Sequence, residues 1–257
     1  MGSVTDPVSA ERDTGATDRG AWCPPLWAVV ISASFGLWLT VDVVLDGPWH
    51  RADIVVADWI DGLGLRDSPV PNAVLWLLTQ TGGRATILVV VGLLTVYIMR
   101  ERRVWQPALR VLGAFVLLTV VIYALKIGLG RTAPGHGASV LYVDGRSYPS
   151  GHSANAVLWW GLAVWLVRSY ELPGWVVRLF TVVAVAAPVL TSLAMLALNY
   201  HWLTDVLAGL ALGIVLLRVL HLIFGTRLGD WGSAPRQGRA GGRNRDRVLA
   251  SRSGPRG

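Results

Sequence analysis

Long apolar runs, separated by short charged or Pro- and Gly-containing segments, make up most of the chain. The first run, residues 26–45, has about the length that an α-helix needs to cross a hydrocarbon core of about 30 Å. The other runs have a similar length or can extend into flanking residues, and they lie at 85–99, 108–125, 154–167, 176–198 and 203–217. The pattern predicts an all-α fold, namely an integral membrane bundle of six transmembrane helices.

The segment between the first two runs has a different pattern. Over residues 53–78, charged side chains such as Asp53 and Arg66 are interspersed with Trp, Ile, Leu and Val, and they are too frequent for a membrane span. Pro69 and Pro71 are expected to break this segment. We therefore predict one or two interfacial helices after the first span.

The composition agrees with a membrane protein. Apolar residues make up 53% of the chain and charged residues 15%, whereas a soluble domain carries roughly 25% charged residues. The mean hydropathy of +0.50 is positive, which also favours a membrane protein. These values argue against a soluble globular enzyme and against a disordered chain. The single cysteine, Cys23, excludes an intramolecular disulfide and a zinc site with several cysteines.

The net charge of +7 is concentrated in one terminal segment, because residues 227–256 hold eight Arg against Asp230 and Asp246. A nucleic-acid-binding domain would spread its charge over a folded face, so we predict no nucleic-acid partner. The expected organisation is a disordered tail at 1–23, a membrane domain at 24–225 and a disordered Arg/Gly-rich tail at 226–257. Binding of anionic lipid headgroups by the second tail is the alternative.

The distribution of Arg predicts the orientation in the membrane, since cytoplasmic loops collect Lys and Arg. The loops after the second and fourth runs and the C-terminal tail are rich in Arg, and they share one side if the helices alternate. We predict that both termini are cytoplasmic and that segments 46–67, 127–151 and 199–202 face outward. The preference for Arg over Lys and the high Gly and Ala content favour a bacterial plasma membrane.

Two of the outward segments carry groups suited to an anion. Lys126 is the only Lys in the chain, and a compact ammonium suits phosphate; a Lys that snorkels from a helix end is the alternative. Ser150, Gly151 and His152 occupy a predicted helix start, where free amides and the helix dipole favour anions. A plain Ser N-cap with an interfacial His is the alternative there.

The third outward segment places His201 and Asp205 four residues apart. That spacing brings both side chains to one helix face, and a carboxylate beside an imidazole fixes its tautomer and raises its basicity. A structural His–Asp pair that closes a helix end is the alternative. Together the three segments predict a phosphoryl-transfer site. The sequence has no carboxylate cluster with metal-ligand spacing, so we expect a histidine mechanism without metal or cofactor.

These residues resemble the motifs of the type 2 phosphatidic acid phosphatase superfamily. The family pattern is Lys-x6-Arg-Pro, then Pro-Ser-Gly-His, then Ser-Arg-x5-His-x3-Asp. The second motif matches in full at residues 149–152, and the third matches at His201 and Asp205. The resemblance covers about residues 75–217 and agrees with the plan of six helices.

The roles of these residues are implied by the resemblance. His201 would be the nucleophile that attacks phosphorus, Asp205 would orient it and stabilise its positive charge, and His152 would protonate the leaving group. Water would then hydrolyse the phosphohistidine. The implied phosphate-binding groups are Lys126, Arg131, the Ser150 hydroxyl and the Gly151 amide.

Two arginines of the family pattern are missing from this sequence. The Arg that precedes Pro in the first motif falls on Ala133, and the Ser-Arg of the third motif falls on Ala194 and Met195. Because the resemblance implies that both arginines contact phosphate, we hypothesise that Arg131, helped by Arg146, replaces them. A weakened or inactive site is the alternative.

The function predicted from these motifs is a membrane phosphatase that acts on a lipid at the outer membrane interface. Its substrate would be a lipid phosphomonoester or pyrophosphate: phosphatidate, phosphatidylglycerol phosphate or a polyprenyl pyrophosphate. One alternative is a non-catalytic relative that binds or moves lipids. The other is a small transporter or channel, for which Asp42 in the first apolar run is the main indication.

Overall fold

The computed structural model describes residues 22–225, and within that range all regular structure is helical. Two short 3-10 turns, Gln80–Gly82 and Pro134–His136, accompany the α-helices. The tails expected to be disordered lie outside the described residues, apart from residues 22 and 23. The helices are α1 Leu26–Val44, α2 Pro48–Asp61, α3 Pro69–Thr79, α4 Arg84–Arg102, α5 Gln106–Leu129, α6 Gly151–Ser169, α7 Gly174–Ala197 and α8 Leu203–Phe224.

Four of the described helices, α1, α5, α7 and α8, are long and apolar enough to cross a membrane. Helices α3 and α4 meet at a bend of 47° and give a fifth candidate if the pair forms one span. The prediction of an all-helical membrane architecture is therefore confirmed. Each of the six predicted runs is helical, but the number of spans among residues 22–225 is four or five by length and composition.

Helix α6 lies at the centre of the bundle and packs mainly against α7 and α8. Its buried residues include three tryptophans, Trp159, Trp160 and Trp165. Helix α8 approaches α6 closely at Gly213, where an added Cβ atom would lie 2.7 Å from the Cβ atom of Val157. Small residues at such contacts allow two helix backbones to pack closely. The central position of α6 fixes its first turn relative to α8.

Asp42 has a structural explanation. It lies near the end of α1 and is buried, and its Oδ2 atom accepts a hydrogen bond of 2.9 Å from the backbone N–H of His50 in α2. A buried carboxylate is stable when it accepts such a bond. Asp42 thus ties α1 to α2, which removes the main indication for a transporter or channel.

The segment predicted to be interfacial contains two helices, α2 and α3. The prediction that Pro69 and Pro71 break this segment is wrong, because the interruption lies before them and Pro69 is the first residue of α3. Proline is tolerated in the first turn of a helix, where its missing N–H would have no partner within the helix. Helix α2 is amphipathic, with Asp53, Ala57 and Ile60 buried and Trp59 exposed.

Candidate active site

A cavity of about 880 Å³ lies where the first turns of α4 and α6, the last turn of α5 and the segment before α8 meet. The structure thus brings the three segments selected from the sequence to one place. The predicted site residues that line the cavity are Lys126, Arg146, Gly151, His152 and His201. The other lining residues are Gln80, Gly83, Arg84, Ala85, Thr132, Ala133, Asp144, Gly145, Ser147, Asn155 and Tyr200.

The start of α6 matches the predicted helix start. Ser150 is the N-cap, and its Oγ accepts hydrogen bonds from the backbone N–H and the hydroxyl of Ser153, at 3.4 and 3.2 Å. Its backbone N–H donates to the carbonyl oxygen of Asp205 at 2.9 Å. Ser150 is fully buried and does not line the cavity, in contrast to Gly151 and His152. The Ser150 hydroxyl therefore caps the helix. This is the alternative given above to a phosphate contact by that hydroxyl.

His201 and Asp205 form a pair at the start of α8, with 3.4 Å between the Nδ1 and Oδ2 atoms. His201 precedes the N-cap residue Trp202, so a turn joins the two side chains rather than a helix face. The same Oδ2 atom accepts from the backbone N–H of Trp202 at 3.0 Å and from the Ser147 hydroxyl. Because Nδ1 faces the carboxylate, Nε2 is the ring nitrogen left to act in the cavity.

Arg131 lies behind the His201–Asp205 pair and outside the cavity lining. Its side chain is fully buried, with Nη1 bonded to Asp205 Oδ1 and to Thr204 Oγ1, both at 2.7 Å, and Nη2 bonded to Asp53 Oδ2 at 2.7 Å. The Nε atom donates to Ser139 Oγ at 3.0 Å. Every nitrogen of the guanidinium is already bonded within the protein. The hypothesis that Arg131 holds phosphate is therefore corrected, and its contacts orient Asp205 instead.

Asp53 in α2 is a buried member of this site that the sequence analysis did not select. Its carboxylate pairs with Arg131 and accepts hydrogen bonds from the backbone N–H and the hydroxyl of Thr204, at 2.8 and 2.6 Å. Burial raises the pKa of the Asp53 carboxyl, while the Arg131 charge opposes that rise. The helical spacing of Asp53, Ala57 and Ile60 was the sequence signal that could have identified this inward-facing carboxylate.

The loop before α6 is held by two groups near the cavity. Lys126 donates from Nζ to the carbonyl oxygens of Arg146 and Ser147, the second at 3.4 Å. Tyr148 is buried, and its hydroxyl lies 2.7 Å from Thr40 Oγ1 in α1. Burial raises the pKa of Tyr148 to about 12, so this phenol stays protonated. These contacts fix the loop that carries Arg146 and Ser147 against α5 and α1.

The positions of the missing family arginines differ in their surroundings. Ala133 lines the cavity, whereas Met195 is buried in α7 with 2% of its surface exposed. Neither residue supplies a positive charge. Three other cations, Arg84, Lys126 and Arg146, line the cavity beside the carboxylate of Asp144. The cavity therefore has an excess of positive charge, which suits an anionic ligand.

Comparison with known proteins agrees with this geometry. Residues 107–228 match the family model of the PAP2 superfamily. This part of the chain is a PAP2 domain. The resemblance stated from the motifs is confirmed, and the domain includes Lys126, His152, His201 and Asp205, whereas Asp53 and Arg84 lie before it.

A relative in sequence and a solved structure similar to this chain both come from Bacillus subtilis. The chain is 28% identical over 151 residues to phosphatidylglycerophosphatase B of strain 168, and the matched part covers 58% of this chain and 72% of the relative. Its fold matches the crystal structure of the first transmembrane PAP2 type phosphatidylglycerolphosphate phosphatase from Bacillus subtilis, with a TM-score of 0.60 and 23% identity. That match covers 78% of this chain and 97% of the other. These findings support an integral membrane phosphatase of lipid metabolism.

Proposed function

We propose that this PAP2 protein is a lipid phosphatase that hydrolyses a lipid phosphomonoester or pyrophosphate. The observation that carries the proposal is the pair of His201 and buried Asp205, which opens onto a positively charged cavity shared with His152. A nucleophile, a group that orients it and a second proton-transfer group are the parts that covalent phosphoryl transfer requires.

The proposed reaction has two steps. Nε2 of His201 attacks phosphorus, the bond from phosphorus to the leaving oxygen breaks, and His152 donates a proton to that oxygen. In the second step His152 removes a proton from water, the water oxygen bonds to phosphorus, and the phosphorus–nitrogen bond breaks. Asp205 stabilises the imidazolium formed by His201 in the first step. No metal takes part in this proposal.

The position of the cavity supports a lipid substrate. It lies at the ends of helices, where a phosphate headgroup stays in contact with water while its acyl or prenyl chains remain among the apolar helices. The names of the Bacillus relative and of the similar solved structure favour phosphatidylglycerol phosphate among the three predicted substrates. Phosphatidate and polyprenyl pyrophosphate carry the same terminal phosphate group and remain alternatives.

The proposed topology has six spans, formed by α1 and by α4 to α8. The end of α4, with Arg100 and Arg102, lies at the end of the bundle opposite the cavity, as does the connection between α6 and α7. Because cytoplasmic connections collect Arg, this arrangement supports cytoplasmic termini and a cavity on the outer face of a bacterial plasma membrane.

Phosphate release by the detergent-purified protein tests the function. Phosphatidylglycerol phosphate, phosphatidate and a polyprenyl pyrophosphate are each supplied with EDTA present, and the His201→Ala variant is measured in parallel. We expect release that persists in EDTA and is lost in the variant. Equal release by both proteins would contradict the proposed role of His201, and loss of release in EDTA would contradict the metal-free reaction.

The second candidate is a PAP2 relative that binds or moves lipids without hydrolysing them. Ala133 and Met195 favour it, because neither provides the cation that the family pattern has at that position. If this candidate is right, the His201→Ala variant still complements loss of the native protein in its host. Loss of the biological role in that variant would exclude it.

A further inference from the structure

We propose that Arg84, the first residue of α4, binds the substrate phosphate. It would take the place of one of the two family arginines that are missing here, at positions 133 and 195. The inference rests on the proposed function, since it names a further group of the same site. It was not among the residues selected from the sequence, and it lies outside the matched domain, 107–228. Three observations carry it: its place on the cavity wall, its unused hydrogen-bonding groups and the rigid support of its backbone.

Arg84 lies on the cavity wall formed by the start of α4, together with Gln80, Gly83 and Ala85. Lys126, His152 and His201 line the same cavity. A phosphate attacked by His201 would therefore lie between the α6 start and the α4 start.

The guanidinium of Arg84 is available for a ligand. Its side chain is exposed, and within residues 22–225 no carboxylate forms an ion pair with it. Its Nη1 atom makes one long hydrogen bond of 3.5 Å to the Tyr123 hydroxyl, and its Cζ atom lies 5.4 Å from the centre of that ring. A guanidinium has five N–H donors, so most of them remain free. Arg131 differs in this respect, because its nitrogens are all bonded to protein groups.

The backbone before Arg84 is fixed to α6. Asn155 donates from Nδ2 to the carbonyl oxygen of Gly82 at 3.2 Å, and Trp160 donates from Nε1 to that of Thr81 at 2.8 Å. An added Cβ atom on Gly82 would lie 2.6 Å from the carbonyl oxygen of His152. The turn before Arg84 therefore packs directly on the turn that carries His152. Such support keeps the stem of a long side chain in a defined position relative to the catalytic groups.

The same turn also contacts the helix from which a family arginine is missing. Thr81 and Thr191 share a hydrogen bond of 2.7 Å between their hydroxyl oxygens. Thr191 and Met195 are four residues apart in α7, so they lie on one face of that helix. The start of α4 is thus adjacent to the α7 face that would carry the lost arginine. Arg84 thus places a positive charge at the end of α4 that neighbours this face of α7.

Enzyme kinetics with three single variants test this role. We compare Arg84→Ala, Arg84→Lys and, as a matched control, Arg100→Ala, because Arg100 is an exposed arginine at the other end of α4. Loss of one well-placed group that stabilises charge in the transition state lowers the rate by about 10²–10³. We expect a loss of that size in kcat/KM for Arg84→Ala, partial recovery for Arg84→Lys and no change for Arg100→Ala. Activity of Arg84→Ala within about twofold of the native protein would overturn the inference, because the loss expected for a phosphate ligand is about 10²–10³.

A double variant distinguishes a phosphate contact from a structural role. Ala133 lines the cavity at the position of the other missing arginine, so Ala133→Arg should restore activity to the Arg84→Ala protein. If unfolding midpoints match the native protein and the double variant stays as inactive as Arg84→Ala, the phosphate-binding role is contradicted.

Binding of inorganic phosphate separates this inference from the proposed function. Calorimetry on the purified native protein, Arg84→Ala and Arg100→Ala requires no turnover. We expect affinity at least tenfold weaker for Arg84→Ala alone. Equal affinity of all three proteins would overturn the inference, whereas weaker binding without any lipid hydrolysis would retain Arg84 as an anion ligand and exclude the phosphatase.

Discussion

At the scale of single residues, the site depends on charges buried behind the cavity. Asp205 is held by Arg131, and Arg131 is held in turn by Asp53. Buried charges are tolerated when they are paired and hydrogen-bonded, and removing one partner is strongly destabilising. The Asp53–Arg131–Asp205 chain therefore fixes the carboxylate that orients His201.

Arg131→Lys tests whether Arg131 positions Asp205. Lysine keeps the charge but cannot bond Asp53 and Asp205 with a planar fork. We expect kcat to fall about tenfold to hundredfold, since small misplacement of reacting groups has effects of that size, while KM stays near the native value. Steady-state kinetics check this, with Arg100→Lys as the control. A raised KM with native kcat would indicate a phosphate contact by Arg131 instead.

The sequence identified the site residues that lie in motifs better than those that do not. Lys126, His152 and His201 lie in motifs whose spacing indicates a function. Arg84 and Asp53 lie in no such motif. Their proximity to the site arises from helix packing, which brings the starts of α4 and α6 together and turns one face of α2 inward.

At the scale of helices, the relative position of α6 and α8 decides whether the two histidines share one cavity. Gly209 in α8 packs on the start of α6, where an added Cβ atom would lie 2.5 Å from the carbonyl oxygen of Ser150. A side chain there must push α8 away from the turn that carries His152. The separation of His152 and His201 therefore depends on this glycine.

Gly209→Ala is expected to lower both stability and activity. Overpacking of this kind costs about 1–3 kcal/mol, and displacement of His201 lowers kcat. Gly92→Ala in α4 is the matched control, because an added Cβ atom there has no neighbour within 4 Å. Unfolding midpoints and kcat are measured for both variants. A native kcat in Gly209→Ala would show that the close contact does not position the site.

The helices could be predicted because their apolar runs are long, whereas their membrane roles could not. Helix α6 is surrounded by other helices, so polar residues such as Ser153 and Asn155 are buried against protein and lower its hydropathy. The start of α3 was misjudged because Pro69 begins a helix as readily as it ends one. Contacts with neighbouring helices decide both the membrane role of α6 and the start of α3. The apolar pattern of a single segment carries no information on those contacts.

At the scale of the whole molecule, the proposed orientation follows from alternation of the helices. The cavity and the connection between α6 and α7 are at opposite ends of the bundle. The distribution of Arg, which includes the tail at 226–257 outside the described residues, favours the end with the connection between α6 and α7 as the cytoplasmic one.

Cysteine labelling of intact cells tests the orientation. The chain has one cysteine, so Cys23→Ser provides a background for Asp144→Cys beside the cavity and Glu171→Cys between α6 and α7. Both positions are exposed. We expect a membrane-impermeant maleimide to label Asp144→Cys in intact cells and Glu171→Cys only after permeabilisation. The reverse pattern would place the cavity in the cytoplasm.

In the proposed reaction His201 carries the phosphoryl group during hydrolysis. The most direct measurement is rapid quenching in alkali during turnover of phosphate-labelled phosphatidylglycerol phosphate, followed by mass spectrometry of the digested protein. We expect a phosphoryl group on His201 that appears before free phosphate and is absent from the His201→Ala variant. Rapid phosphate release without any phosphorylated His201, or a phosphoryl group on another residue, would contradict the proposed reaction.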